Sequence, residues 1–269
     1  MKLLNKIVGS KLLLPALFVL LTGIVFVKAA PYVKATPLGI SNIGQIGGYK
    51  NPPMEGSYGG IAKDLNDNIY VTDIQNNRIQ KYDNSGTFQQ IIGSEEFGPY
   101  GANDGQLQSP RDVAVASNGD IYVADTYNSR IQKFNSAGVY QSQFGSAGGQ
   151  NGQFNYPQGI ALDSSNNIYV ADTNNYRIQV FNSAGVYQSQ FGSNGSADGQ
   201  FSSPIDIVID SSNNIYVADY SRIQKFDSNG VHLATFGAGG SGDGQFSRIE
   251  GIALDEDGNI FASDSNNYR

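Results

Sequence analysis

The sequence predicts an all-β fold built from one repeated unit, and three observations lead to this prediction. A segment that begins Asn-Ile-Tyr-Val-Thr-Asp at Asn68 returns with small changes at Asp120, Asn167, Asn214 and Asn259. Glycine is abundant, with 33 among 269 residues, and 39% of the side chains are hydrophobic. Short β-branched and aromatic runs alternate with turns rich in Asn, Ser and Gly, a pattern typical of many short strands.

The third copy shows how one repeat is organised. Its sequence predicts four strands, named a to d, at 156–163, 168–172, 177–181 and 186–192. Strands a and b lack strict alternation of polar and apolar residues, as expected for a sheet covered on both faces. A period of about 45 to 52 residues is typical of a β-propeller blade or a paired-helix repeat. The β-branched content and the frequent turn signals exclude helices, so the sequence predicts a β-propeller of four-stranded blades.

Several motif blocks of this copy occur in an order that resembles the NHL repeat. They are Gly152-Gln153-Phe154, Pro157-x-Gly-Ile-Ala161, Asn167-Ile-Tyr-Val-Ala-Asp172, Asn175-x-Arg-Ile-Gln and Phe191-Gly192. The resemblance extends over residues 59–269. It implies a β-propeller, commonly six-bladed in this family, that usually acts as a recognition platform and in some relatives as an enzyme. Fold alone does not imply one activity.

The number of blades departs from that family pattern. Four copies are complete, whereas the fifth stops at Arg269, inside its strand c. In the linker at 30–58, the segment Gly39–Gly44 resembles the end of a strand d, so it is a candidate for the strand that closes the ring. We expect the propeller at 59–269 to be a fragment of a larger ring or to be completed by a second copy, because an open ring leaves unpaired sheet edges.

The N-terminus predicts an extracytoplasmic location. Lys2, Lys6 and Lys11 precede an uncharged run at 12–27, which is followed by Val-Lys-Ala ending at Ala29. This pattern indicates a signal peptide at 1–29 that is cleaved after Ala29, with an uncleaved membrane anchor as the alternative. In both cases we expect a protein that is secreted or anchored at the cell surface, and contacts a membrane only through that anchor.

Charge and composition exclude several functional classes. Removing residues 1–29 takes away four lysines and no acid, so the net charge changes from -7 to -11. This acidity disfavours binding to nucleic acid. The chain has no cysteine and one histidine, His232. This excludes Cys/His nucleophilic pairs and multi-histidine metal sites, including the histidine-based metal centre of the peptide-amidating lyases with NHL-like propellers. We expect no cofactor, with calcium held by carboxylates as the alternative.

The repeated polar residues predict structural roles. An aspartate at the end of each strand b is followed by an arginine at the start of strand c, and one such pair per blade indicates an ion pair that closes the b–c loop. The complete copies contain Asp73 and Arg78, Asp125 and Arg130, Asp172 and Arg177, and Asp219 and Arg222. Asp255–Asn259 resembles a calcium loop only weakly, and we interpret it as an a–b turn.

The b–c and d–a loops share one rim of the propeller, and this rim varies most between the copies. Variation at one structural position is expected of a recognition surface, although exposed loops also vary freely. We therefore predict a non-catalytic scaffold that binds a protein, glycan or cell-surface component. The alternative is a calcium-dependent hydrolase or lactonase with acids such as Asp112, Asp206 and Glu250 near the channel. The candidate rim residues are Arg111, Asp112, Tyr127, Gln158, Tyr176, Asp206, Tyr220 and Glu250.

Overall fold

The computed structural model describes residues 18–20, 23–25, 58–93 and 101–269. Each of the four complete repeats forms one four-stranded antiparallel sheet, and the fifth contributes a two-stranded sheet. The predicted β-propeller with four-stranded blades is thereby confirmed. The predicted ring-closing segment at 39–44 lies outside the described residues.

Two short strands precede the blades. Residues 18–20 and 23–25 form an antiparallel pair, β1 (Phe18–Leu20) and β2 (Gly23–Val25). No helix in the described part of the chain has the length and apolar character needed to cross a membrane.

Within every blade the strands follow one another along the chain. Blade 1 contains β3 (Tyr58–Lys63), β4 (Ile69–Asp73), β5 (Arg78–Tyr82) and β6 (Phe88–Gly93). Blade 2 contains β7 (Pro110–Val115), β8 (Ile121–Asp125), β9 (Arg130–Phe134) and β10 (Tyr140–Phe144). Blade 3 contains β11 (Pro157–Leu162), β12 (Ile168–Asp172), β13 (Arg177–Phe181) and β14 (Tyr187–Phe191). Blade 4 contains β15 (Pro204–Ile209), β16 (Ile215–Asp219), β17 (Arg222–Phe226) and β18 (His232–Phe236), and blade 5 contains β21 (Ile249–Leu254) and β22 (Ile260–Asp264).

Short elements connect these strands on the rim formed by the b–c and d–a loops. The b–c loops of blades 2, 3 and 5 contain single 3-10 turns at Thr126–Asn128, Thr173–Asn175 and Ser265–Asn267. Each turn ends at a residue with left-handed backbone, for example Tyr176 at φ 55°. The d–a loop of blade 4 forms a short parallel pair, β19 (Ala238–Gly239) with β20 (Gln245–Phe246).

The hydrophobic core lies between the blades. Strands a and b are buried along nearly their whole length, which explains why their sequences do not alternate. Phe181 of blade 3 packs 5.5 Å from Phe154, and both side chains belong to a cluster that includes Tyr122 and Ala124 of blade 2. Strands a of successive blades pack against one another. The blades are therefore held together mainly by burial of apolar surface, at about 25 cal/mol per Å².

Every strand a carries a register irregularity near its start. In blade 3 this shift lies between Pro157 and Ile160, and in blade 2 it lies between Pro110 and Asp112. Such a bulge bends the strand and changes the direction of a side chain. It sets the positions of the candidate residues that follow the strand-a proline.

Candidate functional site

The repeated aspartates and arginines form buried ion pairs, as the sequence predicts. The distances from arginine Nε to aspartate Oδ2 in the complete blades are 2.8 Å for Arg78 and Asp73, 2.7 Å for Arg130 and Asp125, 2.8 Å for Arg177 and Asp172, and 3.0 Å for Arg222 and Asp219. The aspartate side chains are at most 1% exposed. These are therefore buried ion pairs, and they differ from solvent-exposed ion pairs, which contribute little to stability.

The contacts of the pair in blade 3 show what it holds in place. Asp172 Oδ2 also accepts hydrogen bonds from the side chains of Asn175 at 2.9 Å and Gln179 at 3.0 Å. Asp172 Oδ1 accepts one at 2.7 Å from the backbone N–H of Asn155 in the d–a loop. The terminal nitrogens of Arg177 donate to other groups, among them the carbonyl of Gln153 at 3.0 Å. The network thus holds the d–a loop against the b–c loop. Within it, Arg177 bonds to Asp172 through its Nε atom alone, while its terminal nitrogens bond to other groups.

Burial also affects the protonation of this network. In blade 2, burial raises the pKa of Asp125, and hydrogen bonds from Asn128, Gln108 and Arg130 oppose that effect. These partners are internal to the blade and its preceding loop. The recurrence of an aspartate at the end of each strand b is therefore explained by its structural role in holding these loops together.

Two of the candidate rim residues, Asp112 and Asp206, are buried between blades. Asp112 Oδ2 accepts a hydrogen bond at 2.7 Å from the backbone N–H of Ile160, on strand a of the next blade. Asp206 makes the equivalent bond to Ile252 at 2.8 Å. Asp112 is 3% exposed and Asp206 is 7% exposed. Their contacts join neighbouring blades, which favours a structural role over partner contact.

Glycines occupy the equivalent positions in the intervening blades because space is lacking there. A Cβ atom on Gly60 would lie 1.7 Å from Asp112 Oδ1, and one on Gly159 would lie 2.8 Å from Asp206 Cα. The alternation of glycine and aspartate along successive blades is therefore a packing requirement. It accounts for part of the sequence variation on this rim.

Arg111 forms a cluster with two tyrosines at the junction of blades 2 and 3. Its terminal nitrogen donates a hydrogen bond to Tyr156 Oη at 3.1 Å, and its guanidinium lies 5.7 Å from the centre of the Tyr156 ring. The ring of Tyr127 lies 5.4 Å from that of Tyr156. Tyr127 is 56% exposed. Interaction with the neighbouring Tyr156 raises the pKa of Tyr127. The cluster presents a cation and aromatic faces at the surface.

Sequence reasoning missed Tyr156. It precedes the strand-a proline, where the complete copies on either side have Ser109 and Ser203. Its backbone is left-handed, with φ at 62°, which is uncommon for a bulky residue. The presence of tyrosine where the neighbouring copies have serine is the feature of the sequence that could have identified Tyr156 as a candidate.

The other candidate residues lie apart from this cluster. Tyr220 is 46% exposed in the b–c loop of blade 4. Tyr176 is half-buried and packs against the hydrophobic cluster between blades 3 and 4. Gln158 is half-buried on β11. Glu250 is exposed and pairs with Arg248 at 2.8 Å.

The described residues offer no clustered metal ligands. Within 58–93 and 101–269, no three or more His, Asp or Glu side chains lie close enough to hold a metal ion, so Asp112, Asp206 and Glu250 do not form such a group. Asp255 Oδ1 accepts hydrogen bonds from the backbone N–H groups of Asp257 at 3.0 Å and Asn259 at 2.7 Å. This is the predicted a–b turn.

The sole histidine lies on an outer strand of blade 4. The ring of His232 packs edge-on 5.7 Å from that of Phe226. Its Nε2 lies 2.9 Å from Thr235 Oγ1 and 3.6 Å from a carboxylate oxygen of Asp198. These contacts are those of a strand residue on the outer edge of the blade.

Comparison with known proteins agrees with this architecture. The family model of the NHL repeat matches residues 107–134 and 154–181. Among curated proteins, the chain is 40% identical over 87 residues to a protein of Caenorhabditis elegans named "Probable peptidyl-alpha-hydroxyglycine alpha-amidating lyase", covering 31% of this chain and 24% of the relative. It is 46% identical over 55 residues to a B-box type zinc finger protein of the same organism, covering 20% of this chain and 6% of the relative.

Solved structures with similar folds include two enzymes. A gluconolactonase from Xanthomonas campestris matches with a TM-score of 0.56 at 17% identity, over 76% of this chain and 67% of that one. A catalytically inactive histidine-to-alanine variant of virginiamycin B lyase from Staphylococcus aureus matches with a TM-score of 0.55 at 17% identity, over 77% and 62%. The chain spans less than two thirds of that lyase and about a quarter of the amidating lyase. At this identity the structures show the fold alone. The chain is therefore a β-propeller that carries NHL repeats.

Proposed function

We propose that the protein is a non-catalytic recognition scaffold outside the cytoplasm, which binds a protein, glycan or cell-surface component through its b–c and d–a loops. Propellers with NHL repeats generally mediate protein interactions. The observation that carries the proposal is the placement of exposed tyrosines on this rim. Tyr127 and Tyr220 are 56% and 46% exposed. Tyrosine supplies a large rigid contact area with a polar end and is enriched at protein interfaces.

The structural roles of the repeated acids support a scaffold rather than an enzyme. Asp112 and Asp206 bond to backbone groups of the next blade, and the strand-b aspartates hold the d–a loops. The virginiamycin B lyase similar in fold is inactive when one histidine is replaced by alanine. In this chain His232 lies on an outer strand.

Capture from a solubilised cell-surface fraction tests the proposal. The rim variant is Tyr127→Asn with Tyr220→Asn, because Asn174 and Asn77 already occupy the equivalent positions of other blades. The control variant is Val139→Thr with Val186→Thr on the opposite rim, where blade 1 has Thr87. These valines are 57% and 56% exposed, so the control changes side chains of similar fractional exposure on the other rim.

We expect the rim variant to lose at least about tenfold in captured amount, as is usual for truncating central aromatic contacts. The control variant should capture as much as the original protein. Equal capture by the rim and control variants would show that this rim is not the binding surface.

An enzymatic function is the second candidate. It is favoured by the similarity to an amidating lyase and by the fold shared with virginiamycin B lyase and gluconolactonase. We expect no turnover of a peptidyl-α-hydroxyglycine or of gluconolactone, with or without added calcium. Turnover of either substrate that Asp112→Asn or Asp206→Asn abolishes without unfolding the protein would replace the scaffold proposal.

A further inference from the structure

We propose that Arg111, Tyr127 and Tyr156 form a recognition site for one carboxylate group carried by the partner. This inference rests on the proposed recognition function and names the chemistry of one part of the rim. The site spans two blades, because Arg111 lies on β7 of blade 2 and Tyr156 immediately precedes β11 of blade 3.

Arg111 differs from the other arginines in its charge environment. Among the described residues no carboxylate lies within ion-pair distance of it. Every other arginine in the described ranges forms an ion pair with an aspartate or glutamate, namely Arg78, Arg130, Arg177, Arg222, Arg248 and Arg269. In a chain with a net charge of -7, an arginine without an acidic partner is available for an external anion.

Tyr156 orients the guanidinium, and Tyr127 packs beside Tyr156. Tyr156 accepts a hydrogen bond from one terminal nitrogen at 3.1 Å. The Nε atom of Arg111 is buried and has no acceptor among the described residues. A buried donor without an acceptor is unfavourable by about 1–3 kcal/mol, so the unbound site is not an optimised structural contact. Fixing the arginine before binding reduces the entropy lost when a ligand arrives.

The backbone conformation at Tyr156 is shared with another blade, whereas its ring is not. Its φ of 62° places a bulky side chain in the left-handed region. Ser109 adopts the same conformation at the equivalent position, with φ at 49°, but contributes no ring. An aromatic side chain directly before the strand-a proline, next to Arg111, therefore distinguishes this junction from those whose blades have Ser109 and Ser203 there.

The single positive charge of Arg111 and the acidity of the rest of the chain favour one carboxylate as the bound anion. One planar guanidinium matches one carboxylate through parallel N–H donors. A polyanion would be repelled by the acidic surface of the rest of the chain. Tyr127, 5.4 Å from the ring of Tyr156 and exposed to solvent, offers a face for the hydrocarbon part of the ligand beside the carboxylate.

The next junction supplies a matched control within the same chain. Between blades 3 and 4, the positions equivalent to Arg111, Tyr127 and Tyr156 hold Gln158, Asn174 and Ser203. These residues fold in the same elements without a cation or an aromatic ring. The variants Arg111→Gln, Tyr127→Asn and Tyr156→Ser therefore introduce side chains that this architecture already accepts.

Calorimetric titration of the whole chain tests the proposal with small probes. The probes are N-acetyl-phenylalanine, its amide, N-acetyl-phenylalanyl-aspartate amide, glucuronate and phenyl phosphate. The first, third and fourth distinguish a chain-terminal carboxylate, an acidic side chain and a uronic acid as sources. We expect at least one carboxylate probe to bind with a Kd in the millimolar range and at least about tenfold more tightly than the amide. Arg111→Gln should weaken that binding at least about tenfold with an unchanged thermal unfolding midpoint, and Arg111→Lys should restore it only in part.

Four results would overturn the inference. Three concern the probes: the absence of carboxylate binding, equal binding of carboxylate and amide, and preference for phenyl phosphate. The fourth is equal binding of the carboxylate by the original protein and Arg111→Gln. If the Tyr127→Asn, Tyr220→Asn variant loses capture while any of these results is obtained, the recognition scaffold stands and the carboxylate site does not.

Discussion

Asp112 of blade 2 accepts a hydrogen bond at 2.7 Å from the backbone N–H of Ile160 in blade 3. Its other carboxylate oxygen accepts one at 2.8 Å from the N–H of Val113. Both bonds are buried. One side chain thereby satisfies backbone donors on the innermost strands of two blades.

Replacing Asp112 with alanine should lower the free energy of unfolding by about 1–3 kcal/mol, because the N–H of Ile160 would be left buried without this acceptor. Urea unfolding followed by circular dichroism measures the change. The control is Asp120→Ala in the same blade, since the pair of Asp120 with Lys133 is partly exposed. That change should lower the free energy by about 1 kcal/mol or less. Equal losses in both variants would contradict the inter-blade role.

The close approach of Gly60 to Asp112 gives a second prediction. Gly60→Ala should be destabilising, because its Cβ would lie 1.7 Å from Asp112 Oδ1. Combining it with Asp112→Gly should recover part of the loss, so the two changes should not be additive. Gly149→Ala is the control, since the nearest atom to its Cβ would be 3.8 Å away. Additive losses measured in a double-mutant cycle would show that the two residues do not interact.

The aspartate of the loop network in blade 3 should stabilise the fold more than a partly exposed acid does. Asp172→Asn keeps the shape but removes the charge beside Arg177, whose side chain is 8% exposed. We expect the free energy of unfolding to fall by about 3–5 kcal/mol. Asp120→Asn is the control, because Asp120 and its partner Lys133 are 20% and 23% exposed. Water can solvate Lys133, so this loss should be about 1 kcal/mol or less in thermal or urea unfolding.

The repeated sequence predicts the blade well because each motif acts locally. The turn residues, the strand-b run and the aspartate–arginine pair recur within one sheet, and their positions follow from one copy. The contact between Asp112 and Ile160 is different because it joins two copies. The alternation of glycine and aspartate at Gly60, Asp112 and Gly159 is visible in the sequence, but its meaning depends on how neighbouring blades pack.

The rim cluster illustrates what could not be predicted. Arg111 and Tyr127 were candidates because the copies differ there, whereas Tyr156 was not. Its contribution depends on a left-handed backbone that turns the ring toward Arg111, and no local motif specifies that conformation for tyrosine. Tyr176 was a candidate because it is aromatic and lies in a loop, but its ring packs against the core between blades.

Buried tyrosines predict a loss of stability in strong alkali. Burial, with the nearby negative charge of Asp163, raises the pKa of Tyr169 to about 12, and burial with Asp73 has the same effect on Tyr82. In the unfolded chain a tyrosine titrates near 10. The neutral side chain is therefore favoured in the folded state, and its contribution is fully present below about pH 10 and is lost as the pH rises toward 12. The free energy of unfolding should fall over this window by about 2 kcal/mol per tyrosine, as measured by urea unfolding at successive pH values. Tyr169→Phe removes one titrating group and should make the fall shallower, whereas an unchanged slope would mean that Tyr169 is not coupled to folding.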